Sequence, residues 1–182
     1  MRHGETKYQA QKSDILYSKK EQFSLPITGK GKEEVKKRAK ELKKEKIDLI
    51  YCSDFYRTKQ TAEIISKNLS LPVKYDKRLR DTNFGIFSGR PGEEYRRYFS
   101  SEIQRFSKKI PKGESWNDVG KRAVDFIREI DKKHKNKIIL IVSHADPVWL
   151  LAGYIKGLTR KQMLERRNPK GIWPNVGQII KP

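Results

Sequence analysis

A chain of 182 residues holds one domain with a substantial core and leaves no room for two of ordinary size. Its 42 Lys and Arg against 22 Asp and Glu give a formal net charge of +20, a field that favours anionic partners such as phosphorylated molecules, nucleic acid or an anionic membrane surface. No run of about 18 apolar residues and no basic-then-apolar leader is present, so neither a membrane span nor a signal peptide is expected; the single cysteine, Cys52, excludes a disulfide framework and a zinc knuckle, and a reducing cytoplasm is the expected setting.

Taken in chain order, the first amphipathic pattern covers residues 32–46, where Val35, Ala39 and Leu42 recur at helical spacing among charges. Much of the positive excess comes from Lys on stretches such as "GKGKEEVKKRAKELKKEK" here. Because Glu is interleaved, the stretch reads as a solvated helix face rather than a binding patch. "IDLIYC" follows as a short strand, and Ser53 and Asp54 after it read as caps of a helix over "FYRTKQTAEIISKNL". "LPVKYD" offers a further strand, and residues 91–109 read as one charged helical segment. The strongest helix covers residues 115–133: Trp116, Val119, Ala123, Phe126 or Ile127, and Ile130 share a stripe, and Ser115 with Asp118 forms a cap-like pair. "KIILIVS" has the continuous apolar character of a strand buried on both faces. In "HADPVWLLAGYIKG", Asp146 is the expected N-cap, Pro147 the first helical residue and Gly157 the stop. Strands alternating with helices imply an α/β fold of three layers, α/β/α, with a mainly parallel central sheet, in one domain over residues 1–182.

In such a sheet, ligands bind beyond the carboxyl ends of the strands, where helix N-termini also point. Arg57 falls in the first turn after "IDLIYC", His144 directly after "IILIVS", and Asp81 on the loop after "VKYD"; Arg2 and His3 join them if they too follow a strand. This set suits phosphoryl transfer. Two guanidiniums fork onto equatorial phosphate oxygens, a neutral imidazole of His3 is a competent nucleophile, and His144 donates to the transferring group when protonated. Asp81 protonates the leaving oxygen and later takes a proton from water. The scheme needs no metal and no cofactor. His134, within "KKHKNK", reads as a solvated helix end. Trp116, Trp149, Phe126 and Leu150 read as core, and Trp173 is not assigned to the pocket.

At these residues the chain resembles the histidine phosphatase superfamily, the group that includes cofactor-dependent phosphoglycerate mutases and many small phosphatases. Six motifs occur in the family's order: "RHGET" at 2–6, "LPITGKG" at 25–31, "CSDFYRTKQTA" at 52–62, "RLRDTNFGIFSG" at 78–89, "GESWNDVGKRAVDF" at 113–126 and "VSHADP" at 142–147. The resemblance implies His3 as the phosphorylated nucleophile, Arg2, Arg57 and His144 as its phosphate pocket, and a contribution from the main-chain N–H of Ala145. Asp81 stands where the family usually carries a Glu as proton donor, and Gln9 where it often has a phosphate-binding Asn. Glu5 and Thr6 are expected to shape the loop. "HAD" replaces the commoner His-Gly-Gly, so Ala145 needs a backbone conformation that tolerates a Cβ.

Relatives place a short apolar strand directly before the Arg-His pair. Here that first strand is missing or truncated, and "PNVGQIIKP" breaks off as a final strand begins, so a mis-assigned start or a piece of a longer polypeptide is expected. The resemblance implies a metal-independent phosphatase acting on a small phosphate monoester. The alternatives are phosphoryl transfer of the phosphoglycerate mutase type, disfavoured by the short stretch between Asp81 and His144, and an accessory domain binding RNA or a partner through its basic faces. The latter lacks the aromatic sheet face of an RNA-binding module. Substrate identity and oligomeric state are not legible.

Overall fold

The computed structural model describes residues 1–167 and 173–181. In chain order the described helices and strands are α1 (Lys7–Ala10), α2 (Glu21–Ser24), α3 (Gly29–Leu42), β1 (Leu49–Cys52), α4 (Tyr56–Leu69), β2 (Val73–Tyr75), α5 (Gly92–Arg97), α6 (Trp116–Lys133), β3 (Ile139–Val142), α7 (Ala145–Ile155) and α8 (Arg160–Glu165), with short 3-10 turns between several of them. The strands run parallel in the order β2-β1-β3, with Leu49 opposite Ile139 and Ile50 opposite Val73.

Alternation along these runs assigns the layers, because successive side chains on a strand point to opposite faces. Ile50, Cys52, Leu140 and Val142 pack against Val35, Ala39 and Leu42 of α3 and Ala62 and Ile65 of α4. Leu49, Tyr51, Ile139 and Ile141 pack against Phe126 and Ile130 of α6. Trp149 and Leu150 of α7 close a further cluster with Trp116 and Val119. The result is the three-layer arrangement expected, and Trp116, Trp149, Phe126 and Leu150 are all buried.

Beside β3 the residues before the first loop add one parallel bridge, Arg2 opposite Ser143. Met1 N donates to Ile141 O at 2.7 Å, Ser143 N to Met1 O at 2.9 Å and His3 N to Ser143 O at 3.0 Å. On the other side, Arg2 N donates to Gln178 O and Gly177 N to His3 O. Arg2 and His3 are therefore delivered by a strand-like segment pinned from both sides. Residues 173–181 contain no strand; Pro182 lies outside the described residues.

The differences from the sequence reading have local causes. α3 starts at Gly29 because Thr28 caps it, accepting from Gly31 N at 2.9 Å, and it gives way after Leu42 to a 3-10 turn. The segment over 91–109 is not one helix: α5 ends at Arg97 and a 3-10 turn covers Glu102–Phe106. Between them Ser101 is extended, as expected of serines, which favour caps over helix interiors. Tyr95 and Phe99 are held in a cluster with Phe84, Phe87 and Ile110. The cap of α4 is Phe55, not Ser53 or Asp54, and that of α7 is His144, not Asp146. His134 caps the end of α6 and meets the Tyr51 hydroxyl at 2.9 Å rather than standing free in solvent.

The N-terminal end of α3 lies against the loop after His3. Thr28 N donates to Glu5 O at 2.7 Å and Thr28 Oγ1 to Glu5 Oε1 at 2.9 Å, which ties "LPITGKG" to "RHGET". A Cβ at Gly31 would stand 2.6 Å from Glu5 O, so the helix approaches this closely only because residue 31 has no side chain. We expect Gly31→Ala to destabilise the fold by about 1–3 kcal/mol. Gly120→Ala, inside α6 with nothing within 4 Å of the added carbon, should stabilise it by about 0.5–1 kcal/mol. Urea midpoints at unchanged slope test both, and a Gly31→Ala midpoint equal to wild type would contradict the close approach.

Candidate active site

Three strand-like runs end side by side and each hands a polar residue to the same place: Ser53 after β1, His144 after β3 and His3 after the Arg2 bridge. His3 and His144 are essentially fully buried and meet edge to face with centroids 5.4 Å apart. His3 Nδ1 lies 2.8 Å from Gly4 O. A carbonyl only accepts, so Nδ1 carries the proton and Nε2 keeps its lone pair. His144 is held in the opposite sense to a cation: Arg57 donates from a terminal nitrogen to Nδ1 at 2.8 Å, which leaves Nε2 protonated and donating to Ser53 Oγ at 2.9 Å. Burial, then Arg57 and Arg2, hold His3 well below the usual imidazole range. Burial, Arg57 and His3 do the same to His144. Both imidazoles are thus held toward the neutral form.

Arg57, in the first turn of α4, is wholly buried. One terminal nitrogen donates to Gln22 Oε1 at 2.7 Å, and the other to Asp81 Oδ2 at 3.1 Å as well as to His144. Its guanidinium stacks 4.1 Å from the centroid of the Tyr17 ring. Its Nε is buried and has no hydrogen-bond partner among the described residues, and the same is true of Arg2 Nε. Arg2 otherwise reaches Pro174 O at 3.2 Å. Two guanidiniums, Arg57 wholly buried and Arg2 half-buried, thus each hold a buried donor that no acceptor meets among the described residues, with the carboxylates of Asp81 and Asp146 nearby.

Burial raises the pKa of Asp81, Arg57 works against the shift and Asp146 adds to it. Its loop is fastened from several sides. Arg122 of α6 donates to the carbonyls of Arg78 at 2.7 Å, Arg80 at 2.6 Å and Asp81 at 2.9 Å, and it forks onto Glu114 at 2.8 and 2.9 Å. Thr82 N donates to Asp81 Oδ1 at 3.0 Å, and the Thr82 hydroxyl donates to Asp146 Oδ2 at 2.6 Å. A cleft of about 420 Å³ opens over Asp81, Gln22 and Phe55; neither histidine lines it.

Of the residues singled out in the sequence, Arg57, Asp81, His144 and His3 come together around one guanidinium, with Arg2 adjoining. Ala145 opens α7 with helical backbone and no positive φ, so its Cβ is tolerated, and its N–H is among those a helix start leaves without an intrahelical acceptor. Gln9 is not brought to the histidines. Its Oε1 accepts from Thr6 N and Oγ1, and its Nε2 donates to Tyr17 OH at 2.8 Å, so it supports the ring on which Arg57 stacks. Trp173 packs on Trp149 at 5.6 Å under Arg167, away from the cleft. Gln22, Tyr17 and Arg122 were not foreseen. Ser53 carried the one available signal, standing after β1 as His144 stands close after β3. Among the described residues no three His, Cys, Asp or Glu side chains gather as a metal site.

Residues 1–172 match the histidine phosphatase superfamily (branch 1). Phosphoserine phosphatase 1 of Hydrogenobacter thermophilus is 32% identical over 127 residues, covering 67% of this chain and 60% of that protein, so the alignment spans about three fifths of that relative. The probable phosphoglycerate mutase GpmB of Escherichia coli is 30% identical over 201 aligned residues, covering 100% of this chain and 89% of that one. Among solved structures, the α-ribazole phosphatase from Shigella flexneri has a TM-score of 0.77 at 26% identity, covering 97% of this chain and 85% of its own. A mycobacterial glucosyl-3-phosphoglycerate phosphatase has 0.75 at 21% identity, covering 91% and 81%, a likeness of fold alone.

Arg122 acts on Asp81 through the backbone that carries it. Arg122→Met should cost about 2–3 kcal/mol of stability, and Arg122→Lys, lacking the fork, should not restore it. If the clamp positions Asp81, kcat for a poor alkyl leaving group falls further than kcat for a good aryl one, with KM little changed. An equal loss on both substrates would reduce Arg122 to a structural role.

Proposed function

Because this chain belongs to the histidine phosphatase superfamily (branch 1), we propose that it is a metal-independent phosphomonoester hydrolase working through a phosphohistidine on His3. The observation that carries this reading is the pair of guanidiniums, Arg57 buried and Arg2 half-buried, each with a buried Nε that has no partner among the described residues, set beside an imidazole whose free lone pair is fixed by a carbonyl. The site is built for an oxyanion next to a nucleophile.

Gln22 and Asp81 hold Arg57 and also front the cleft, so an entering phosphate takes their place on the guanidinium. Asp81 then loses its cation and gains a negative neighbour, which pushes its carboxyl further toward the protonated form. The same phosphate raises His144 toward the imidazolium that donates to it. In the first step the His3 Nε2 lone pair forms the N–P bond as the P–O bond to the leaving group breaks, and the Asp81 proton goes to the departing oxygen. In the second, water attacks phosphorus, its proton passes to the Asp81 carboxylate, and the P–N bond breaks to release inorganic phosphate. Positioning and charge do the rest.

Water, rather than a retained phosphorylated product, is the acceptor in this reading. Between Asp81 and α6 the described chain holds only α5 and short 3-10 turns, and these pack around Phe84, Tyr95 and Phe99.

The test compares wild type, His3→Ala and Asp81→Asn on an aryl and an alkyl phosphate in the presence of chelator. Wild type should turn over both, and His3→Ala neither. Asp81→Asn should lose roughly 10²–10⁴-fold on the alkyl ester and much less on the aryl one. For wild type, kcat/KM should rise as His3 deprotonates, below the usual imidazole range, and fall as Asp81 ionises, above the usual carboxylate range. The falling limb should vanish in Asp81→Asn. Turnover abolished by chelator, or surviving in His3→Ala, contradicts the scheme.

A further inference from the structure

The cleft over Asp81 has more cationic donors than the protein itself engages. Arg122, on its wall, is occupied by Glu114. Lys19 and Lys77 also line the cleft, and among the described residues neither has an acidic partner within ion-pair distance. Arg80 is engaged on one side: its Nε and one terminal nitrogen fork onto Asp54 at 2.6 and 2.5 Å, while its other terminal nitrogen meets no acceptor among the described residues. This fork fixes the guanidinium against the rings of Phe23 and Phe55, 5.4 and 5.3 Å from their centroids.

The aromatic surface is continuous with the buried cluster. Phe55 meets the His144 ring at 5.3 Å and Phe23 meets Phe55 at 5.3 Å, both edge to face. Phe23 is 56% exposed. It neighbours Gln22 on α2, so one short helix turns Gln22 inward to Arg57 and leaves Phe23 facing the cleft. A large aromatic kept in water here contributes little to the fold, and it fronts the same cleft as Gln22 and Asp81, the two side chains that hold Arg57.

We propose that this vestibule selects phosphomonoesters whose leaving group carries a flat ring and a second anionic group, with the ring on Phe23 and the anion among Lys19, Lys77 and Arg80. The proposal rests on the phosphatase reading for the position of the first phosphate. It gives two otherwise unexplained features one use: an exposed ring, and two lysines without an acidic partner on the same cleft.

Non-hydrolysable phosphonates test it without interference from leaving-group reactivity. Calorimetric affinities of the wild-type protein are compared for benzylphosphonate, 4-carboxybenzylphosphonate and the para-xylylene bisphosphonate. At least one of the doubly anionic ligands should bind about tenfold tighter than benzylphosphonate, and which one does so separates a carboxylate from a phosphate as the second group. In the double variant Lys19→Ala, Lys77→Ala that ratio should collapse towards one. Equal affinities for all three ligands, or a double variant that weakens all by the same factor, would overturn the proposal. Turnover assays run alongside keep the two readings apart: an intact binding preference in a protein with no His3-dependent turnover contradicts the phosphohistidine reading and supports the vestibule.

Discussion

A buried guanidinium that cannot shed its proton is the constraint on which this structure depends. Taking such an ion out of water costs several kcal/mol even after relaxation, and the cost falls on whatever surrounds it. Arg57 meets it with Gln22 from α2, Asp81 from the loop before α6, His144 from the start of α7 and the Tyr17 ring. These partners come from parts of the chain far apart in sequence, so the cation can be accommodated only when the layers are assembled. Even then its Nε meets no partner among the described residues, and the same holds for the buried Nε of the half-buried Arg2.

The protonation states of the neighbours follow from that cation and from burial together. Both histidines are held neutral, while burial raises the Asp81 carboxyl against the pull of Arg57. Such opposed shifts are what a nucleophile and a proton donor need at one pH, the first stripped of its proton and the second keeping it. The backbone completes the assignment: a carbonyl chooses the tautomer of His3, and Arg57 chooses that of His144. Arg122 fixes where the Asp81 loop can stand.

The sheet, its helical cover and the core stripe of α6 were legible because period-2 and period-3.6 burial leaves a direct trace in sequence. The cluster of Arg2, His3, Arg57 and His144 was legible because its members stand just after strand-like runs or in the first turn of a helix, and because their motifs, with that of Asp81, resemble a known family. What escaped was non-local. Ser53, Asp54 and Asp146 look like helix caps by local chemistry, yet they are drawn away to His144, to Arg80, and to Thr82 with Trp116. Gln22 sits between Glu21 and Phe23 on a four-residue helix and shows no pattern at all. Gln9 occupied a suggestive position but had a nearer use, capping α1 and holding Tyr17. Local rules assign such side chains to their own helix ends, and only the assembled fold offers them a better partner.

The account stands most directly on the claim that an oxyanion completes the Arg2 and Arg57 pair. Orthophosphate titrated into the wild-type protein, followed by calorimetry and by thermal unfolding, measures it. The account predicts one bound phosphate per chain and a Tm that climbs with phosphate concentration, both lost in Arg57→Gln even where that variant remains folded. A wild-type Tm indifferent to orthophosphate, or an undiminished rise in folded Arg57→Gln, would contradict it.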